Sequence, residues 1–207
     1  METGRKYATI ILAAGESTRM GIAKALLEYE VGCTLLRRLI SLFQTAGCEV
    51  LTVVGKDAQA IRNAHPEAAL IHNPRWKDGQ LSSARAGIRS AVEAGAHLVL
   101  VHPVDAPAVK GETVETLLSE FAPPGEPARM AERAAVPVYE GKSGHPLVLS
   151  RSAAEKVLQM DVPHLEAALE ALPVRRIDVA DRGVVLSVNT PQEYRRAFGR
   201  EPRTASG

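Results

Sequence analysis

Tyr7 to Ala13 is an almost wholly apolar run, and it ends at a loop carrying two glycines, Gly15 and Gly21, and two cations, Arg19 and Lys24. This junction constrains the fold more than any other stretch. A strand without polar alternation is buried on both faces, as in parallel sheets covered by helices. A glycine-containing loop after such a strand lies at the carboxyl edge of the sheet, where α/β folds bind ligands. Gly15 and Gly21 permit positive φ and close backbone approach. Exposed N–H groups in such a loop form a nest for an anion. Arg19 offers a planar fork for phosphate oxygens and Lys24 a movable point charge. The spacing fits neither G-x-G-x-x-G nor G-x-x-x-x-G-K-[ST]. The loop therefore reads as a phosphate cradle of another kind, with a plain turn as the alternative on spacing alone.

The rest of the chain alternates between two periodicities. Ala25 to Tyr29 reads as a short extended piece. Thr34 reads as an N-cap, followed by Leu35, Leu36, Leu39, Ile40 and Phe43 at helical spacing, with Gly47 as the stop. Strands are predicted at 49–54, 68–72 and 98–101, with helices at 57–64, from Leu81 to near Gly95, and at 113–121 between and after them. Strand–helix alternation of this kind implies parallel βαβ units. The proline-rich stretch 122–130 reads as a linker too short to divide domains. Strands at 134–139 and 147–149 flank a turn, Gly141 to Pro146, and suggest a hairpin on the sheet edge. Helices at 152–160 and 164–171 and short strands at 174–179 and 184–188 follow. Thr190 and Pro191 read as N-cap and first residue of a last helix. The expectation is a single domain over residues 1–198, with 199–207 a disordered tail.

Composition narrows the function classes. A net charge of +1 gives no global attraction to nucleic acid or membrane, and 4% aromatic content is too little for a base-stacking platform. No apolar run approaches the ~20 residues of a membrane helix. Cys33 and Cys48 lack metal-ligand spacing and suggest reduced thiols in a cytoplasmic setting, and the charged start running straight into a strand argues against a signal peptide.

Asp105 follows the strand at 98–101 between Pro103 and Pro107. Prolines stiffen the loop around it. A rigid carboxylate facing a phosphate cradle suits Mg²⁺, which takes one or two carboxylates plus substrate phosphates. The alternative is a capping Asp ahead of the next helix. Trp76 sits on a polar connector, Asn73 to Gln80, and reads either as a stacking group or as a lid over the core. No H-E-x-x-H spacing joins the histidines.

These residues carry a resemblance. Leu12-Ala13-Ala14-Gly15 with Arg19-Met20-Gly21 and Lys24 resembles the signature of the MobA-like nucleotidyltransferase family. Four further blocks agree in order: Asn73-x-x-Trp76-x-x-Gly79 with Ser82, Ser83 and Gly87; Asp105-x-Pro107; Gly144-His145-Pro146; and Asn189-Thr190-Pro191. Within the family the Leu-Ala-Ala-Gly form and the Gly-His-Pro block are most similar to the molybdenum cofactor cytidylyltransferases; the guanylyltransferases resemble Leu-Ala-Gly-Gly.

The resemblance implies a Rossmann-like three-layer α/β/α domain of the nucleotide-diphospho-sugar transferase type. Its sheet would be mostly parallel with an antiparallel edge element. It implies an NTP substrate, CTP favoured, with Mg²⁺ as cofactor and a phosphorylated small-molecule acceptor such as molybdopterin. Arg19, Lys24 and Asp105 would be catalytic. Leu12, Ala13, Ala14, Gly15, Gly21, Asn73, Gly79 and Ser83 would bind nucleotide. Asp105 and Asn189 would hold metal, and His145 would contact the acceptor or simply shape a tight turn. The chain departs from the cytidylyl pattern at Asp105-Ala106-Pro107, where Asp-Gln-Pro is usual. It departs again at Asn189, where Asp is usual, and at Ala23, where a proline is usual. Asp178 or Asp181 is a candidate substitute for the missing carboxylate. The alternatives are a guanylyl or sugar-phosphate nucleotidyltransferase, and a nucleotide-binding accessory protein without turnover.

Overall fold

Tyr7–Ala13 forms the strand its apolar run demands (β1), and it lies inside the sheet with a strand on either side. The computed structural model describes residues 6–121 and 133–205. After β1 come β2 (Glu28–Glu30), β3 (Cys33–Thr34), α1 (Leu35–Thr45), β4 (Cys48–Val54), α2 (Ala58–Ala64), β5 (Leu70–His72), α3 (Gln80–Glu93) and β6 (Leu98–Pro103). Then follow α4 (Gly111–Phe121), β7 (Ala134–Tyr139), β8 (Lys142–Ser143), β9 (Leu147–Ser150), α5 (Arg151–Gln159), α6 (Leu165–Glu170), β10 (Val174–Asp178) and α7 (Pro191–Phe198). The proposed linker at 122–130 lies outside the described residues.

The main sheet runs β10-β7-β9-β6-β1-β4-β5. β1 pairs in parallel with β4 on one side and β6 on the other. The first four strands of this sheet thus lie in the order third, second, first, fourth, and the order reverses between β1 and β6. Crevices form at such reversal points, beyond the carboxyl ends of the strands. The 14–24 loop leaves β1 there and Asp105 leaves β6 there.

Side chains along β1 alternate between two apolar layers. Ile11 and Ala13 pack with Leu36, Leu39 and Phe43 of α1, Val114 and Leu117 of α4 and Tyr194 of α7. Ala8, Ile10 and Leu12 pack with Ala84, Ile88 and Ala91 of α3, Ala153 and Val157 of α5 and Ala168 of α6. The result is the expected three-layer α/β/α arrangement. At α3 the helix approaches so closely that a Cβ on Gly87 would lie 2.3 Å from Ile10 Cγ2.

Three regions differ from the sequence reading. β9 runs antiparallel to both of its neighbours, β6 and β7, and the short β8 also pairs antiparallel with β7. β10 then adds outside β7 and parallel to it, so the hairpin sits one strand in from the margin. Residues 184–188 are not a strand. Arg182–Val185 is a 3-10 turn, and the chain then crosses the strand ends, giving Val184 O to His145 N–H and Val188 N–H to Asp105 O. Those backbone groups are therefore spent on loops, not on a neighbouring strand. The stretch after Gly199, read as a disordered tail, lies against β2. Glu28 N–H donates to Arg203 O at 2.9 Å, Ala205 N–H donates to Leu26 O at 3.2 Å, and the Arg203 side chain binds the buried Glu28 carboxylate. Polarity alone concealed this docking, because its anchor is a buried acid far away in sequence. Among the described residues no helix is long and apolar enough to cross a membrane.

Candidate functional site

The loop after β1 is shaped by Ser17. Ser17 adopts φ 54° and Gly21 φ 76°. The Ser17 carbonyl accepts from Met20 N–H at 3.0 Å and Gly21 N–H at 2.9 Å, and its hydroxyl accepts from Lys24 N–H at 3.2 Å. This folds the loop back and sets the backbone of Lys24. It also takes two of the amides expected in an anion nest out of play. The left-handed turn falls at Ser17 and Gly21, not at Gly15, which instead offers open space over its Cα.

Lys24 opens a 3-10 turn, Lys24–Leu26, where an extended piece was expected. Its Nζ lies 2.5 Å from Asp105 Oδ2 and donates to Asn189 Oδ1 at 2.9 Å. These three residues come from segments 81 and 165 positions apart. Lys24 and Asp105 are only 16% and 18% exposed, so their attraction is screened less than at a surface.

Asp105 is held by its neighbours. His102 is fully buried at the end of β6, and its Nε2–H donates to Ala106 O at 2.8 Å. Burial, with the adjacent His145 adding to it, pushes the His102 pKa down to about 3, so the ring is neutral. Its ring meets Phe43 edge-on, with centroids 5.2 Å apart. Val188 N–H donates to Asp105 O at 2.7 Å. His102 is thus a positioning residue for the Asp105 loop.

Asn189 is aimed by a capping box. Glu193 accepts from the Asn189 and Thr190 N–H groups at 2.7 and 3.0 Å, and Thr190 Oγ1 accepts from Glu193 N–H at 3.2 Å. The Asn189 amide nitrogen donates to Ser187 Oγ at 3.1 Å, which turns its Oδ1 toward Lys24. These backbone N–H bonds hold the Glu193 carboxyl below its usual range, with a smaller contribution from the Arg19 charge. Arg19 is exposed and lies toward Glu193.

Lys24 and Asp105 border a cleft of about 550 Å³. Leu12, Ala13, Ala14, Gly15, Gly79 and Ser83 line it as well. Arg19, Gly21, Asn73, Asn189 and His145 are not among its lining residues. Asn73 is buried and wholly engaged: its amide donates to Ser82 and Ser83 hydroxyls at 3.0 Å each, and its oxygen accepts from Arg75 N–H at 3.0 Å. Asn73 therefore shapes the connector and aims Ser83. His145 lies beside His102, with ring centroids 6.1 Å apart. Burial lowers its pKa, and the Asp105 charge partly opposes this. Its turn is locked, because a Cβ on Gly144 would lie 2.3 Å from Val184 O.

Sequence reasoning missed part of the cleft. Gly55 follows β4 directly, and a Cβ there would lie 2.5 Å from Ala14 O and 2.7 Å from Trp76 Cγ. Trp76 lines the cleft and also packs on the core. Asp57, Lys77 and Gln80 line it too. Lys77 and Gln80 lie on the polar connector already visible in the sequence, but no sequence signal marks Asp57, because its place depends on how α2 folds over the strand ends.

Neither substitute acid reaches the cluster. Asp181 is buried and accepts from Gly183 N–H, Lys110 N–H and Thr113 Oγ1 at 2.7–2.9 Å, which makes it a loop brace. Asp178 is exposed on the outermost strand. Among the described residues no group of three or more His, Cys, Asp or Glu is placed to hold a metal.

The chain is 25% identical over 189 residues to "Molybdenum cofactor cytidylyltransferase" of Escherichia coli K12, covering 89% of this chain and 92% of that protein. It is 26% identical over 199 residues to "Probable molybdenum cofactor guanylyltransferase" of Mycobacterium avium, covering 94% and 96%. The crystal structure of Rv0371c from Mycobacterium tuberculosis H37Rv superposes with a TM-score of 0.76 at 24% identity, covering 95% of this chain and 99% of that one. The same protein has been crystallised with manganese. Residues 9–179 match the family model described as the MobA-like NTP transferase domain. The chain belongs to that family and is a nucleotidyltransferase.

Proposed function

We propose that the protein transfers a nucleoside monophosphate, CMP in preference to GMP, from an NTP to a phosphorylated acceptor of the molybdopterin class. The acceptor phosphate oxygen attacks the α-phosphorus, the bond to the β-phosphate bridge breaks, and pyrophosphate leaves. The observation that carries the reading is the pairing of Lys24 and Asp105 at the border of a cleft lined by Leu12 to Gly15, with Asn189 joined to them through Lys24. Such transfers need positioning and charge neutralisation more than covalent help from protein. Lys24, with the N–H groups at the start of the loop, neutralises the triphosphate and the leaving pyrophosphate. Arg19 guards the outer end of the loop as a second cation. Ala13 and Ala14 present small side chains and backbone edges to the base, and Ser83 and Gly79 form the facing wall.

A divalent cation fits the residues present. Asp105 Oδ2 and Asn189 Oδ1 already converge on one cationic nitrogen, and an all-oxygen set suits Mg²⁺ or Mn²⁺. When bound there, the cation would offset phosphate charge. The manganese complex of the M. tuberculosis protein supports a divalent metal in this family. The preference for CTP is supported by Ala14 and by the cytidylyltransferase of E. coli, while the M. avium relative keeps GTP in contention.

The test is pyrophosphate release from each NTP with Mg²⁺ and a molybdopterin-type acceptor. Turnover with CTP well above GTP is the expected result. GTP outperforming CTP overturns the base assignment. Tight NTP binding with no release under any acceptor favours an accessory role.

A further inference from the structure

Lys24 makes two demands that one position cannot meet at once. Its ammonium is bound by Asp105 Oδ2 at 2.5 Å and Asn189 Oδ1 at 2.9 Å, the same two oxygens assigned to the metal. It also lines the cleft in which the triphosphate is proposed to lie. A divalent cation and an ammonium compete for one carboxylate, because each needs the same lone pairs. On the nucleotidyltransferase reading of the cleft, we propose that Lys24 is a built-in counter-ion of the metal site, released when a triphosphate draws its ammonium away.

The surrounding structure suits such an exchange. The Lys24 backbone is fixed by Ser17, so only the flexible four-carbon stem has to swing. The cluster of Lys24, Asp105 and neutral Asn189 carries no net charge. A second carboxylate at Asn189 would grip the ammonium with two charges and resist its release; an amide oxygen grips it once. Asn189 at this position therefore has a physical rationale beyond weaker metal binding. The consequence is a linkage: metal alone binds poorly, triphosphate alone binds poorly, and each raises the other's affinity by the same factor.

Mn²⁺ alone is the probe, titrated into the full chain without nucleotide at constant ionic strength and read as free Mn²⁺ by electron paramagnetic resonance. Lys24→Met should bind Mn²⁺ about tenfold more tightly than wild type, within the range usual for coupled sites. Asp105→Asn should lose that binding. In wild type, saturation with α,β-methylene CTP should raise Mn²⁺ affinity about tenfold, and Lys24→Met should show a smaller gain. Lys24→Gln repeats the test should the Met variant misfold, and the wild-type linkage needs no variant. Equal or weaker Mn²⁺ binding by both Lys24 variants, with analogue binding to wild type intact, overturns the exchange alone. A wild type that binds no triphosphate analogue even with Mn²⁺ overturns the nucleotidyltransferase reading of the cleft and the exchange with it.

Discussion

Replacing Gly55 by alanine tests the packing against Ala14 and Trp76 directly. The added Cβ would lie 2.5 Å from Ala14 O, 2.7 Å from Trp76 Cγ and 2.8 Å from Trp76 Cβ. Ordinary carbon contacts lie at about 3.5–4.0 Å, so each of these atoms is about 1 Å too close. Overpacking of this kind costs about 1–3 kcal/mol. The φ of Gly55 is not left-handed, so alanine also stiffens the unfolded chain and returns about 0.4–1 kcal/mol. The net expectation is a loss of about 1.5 kcal/mol, from those two ranges. With a urea m-value of about 2 kcal/mol/M, the midpoint should fall by about 0.7 M. Trp76 is the sole tryptophan, so its fluorescence reports both unfolding and its own displacement. Ala14 lines the cleft, so affinity for a triphosphate analogue should fall as well. Gly15→Ala is the control: its Cβ meets nothing within 4 Å, and its stability should stay within about 0.5 kcal/mol of wild type. A Gly55→Ala protein with the wild-type midpoint and unchanged Trp76 emission would refute the reasoning.

Asp105→Ala should lower metal-dependent turnover by at least about 100-fold while leaving circular dichroism unchanged, and near-normal turnover would remove Asp105 from the chemistry. His102 is held neutral by burial, with a folded pKa of about 3 against 6.5 ordinarily, so the unfolded chain takes up a proton there as pH falls below 6.5. Its contribution to stability is full above that pH and declines by about 1.4 kcal/mol per unit toward the folded value. His102→Gln should remove this slope from the difference in urea stability between pH 4 and 6, a range chosen on the order of that window; parallel profiles would contradict the burial argument. The Arg203 guanidinium holds the Glu28 carboxyl below its ordinary value of 4.5, so the pair stabilises the fold above that pH and stops doing so as pH falls through the lowered value. Arg203→Ala should therefore reduce the melting temperature at neutral pH and converge with wild type in acid. A constant offset across pH would show that the tail acts through packing instead.

Local signals wrote most of the frame in legible form. β1 begins and ends where its apolar run does, and Thr34 and Thr190 cap the helices that follow them. The alternation of strand and helix implied a parallel sheet because each helix needs a face to cover. What the chain hid is non-local. Val184 and Val188 look like strand residues, but Gly183 packs against the Ala108 carbonyl and the segment bridges loops. Asn73 reads as a ligand contact, yet its amide is consumed by Ser82, Ser83 and Arg75. The cations and the acid were each visible as singular residues, but the Lys24–Asp105–Asn189 meeting depends on three loops converging in space. In the sequence Gly55 reads only as the close of a strand, because its further meaning lies in what approaches it, not in its neighbours along the chain.

The strap formed by residues 203–205 runs beside the strand that starts only a few positions after Lys24. Leu26 gives its carbonyl to Ala205 N–H, and Glu28 is clasped by the Arg203 side chain. The base of the lysine arm is therefore moored by a segment far along the chain. Whatever peels that strap away should slacken the lever on which the ammonium swings without touching a single cleft residue.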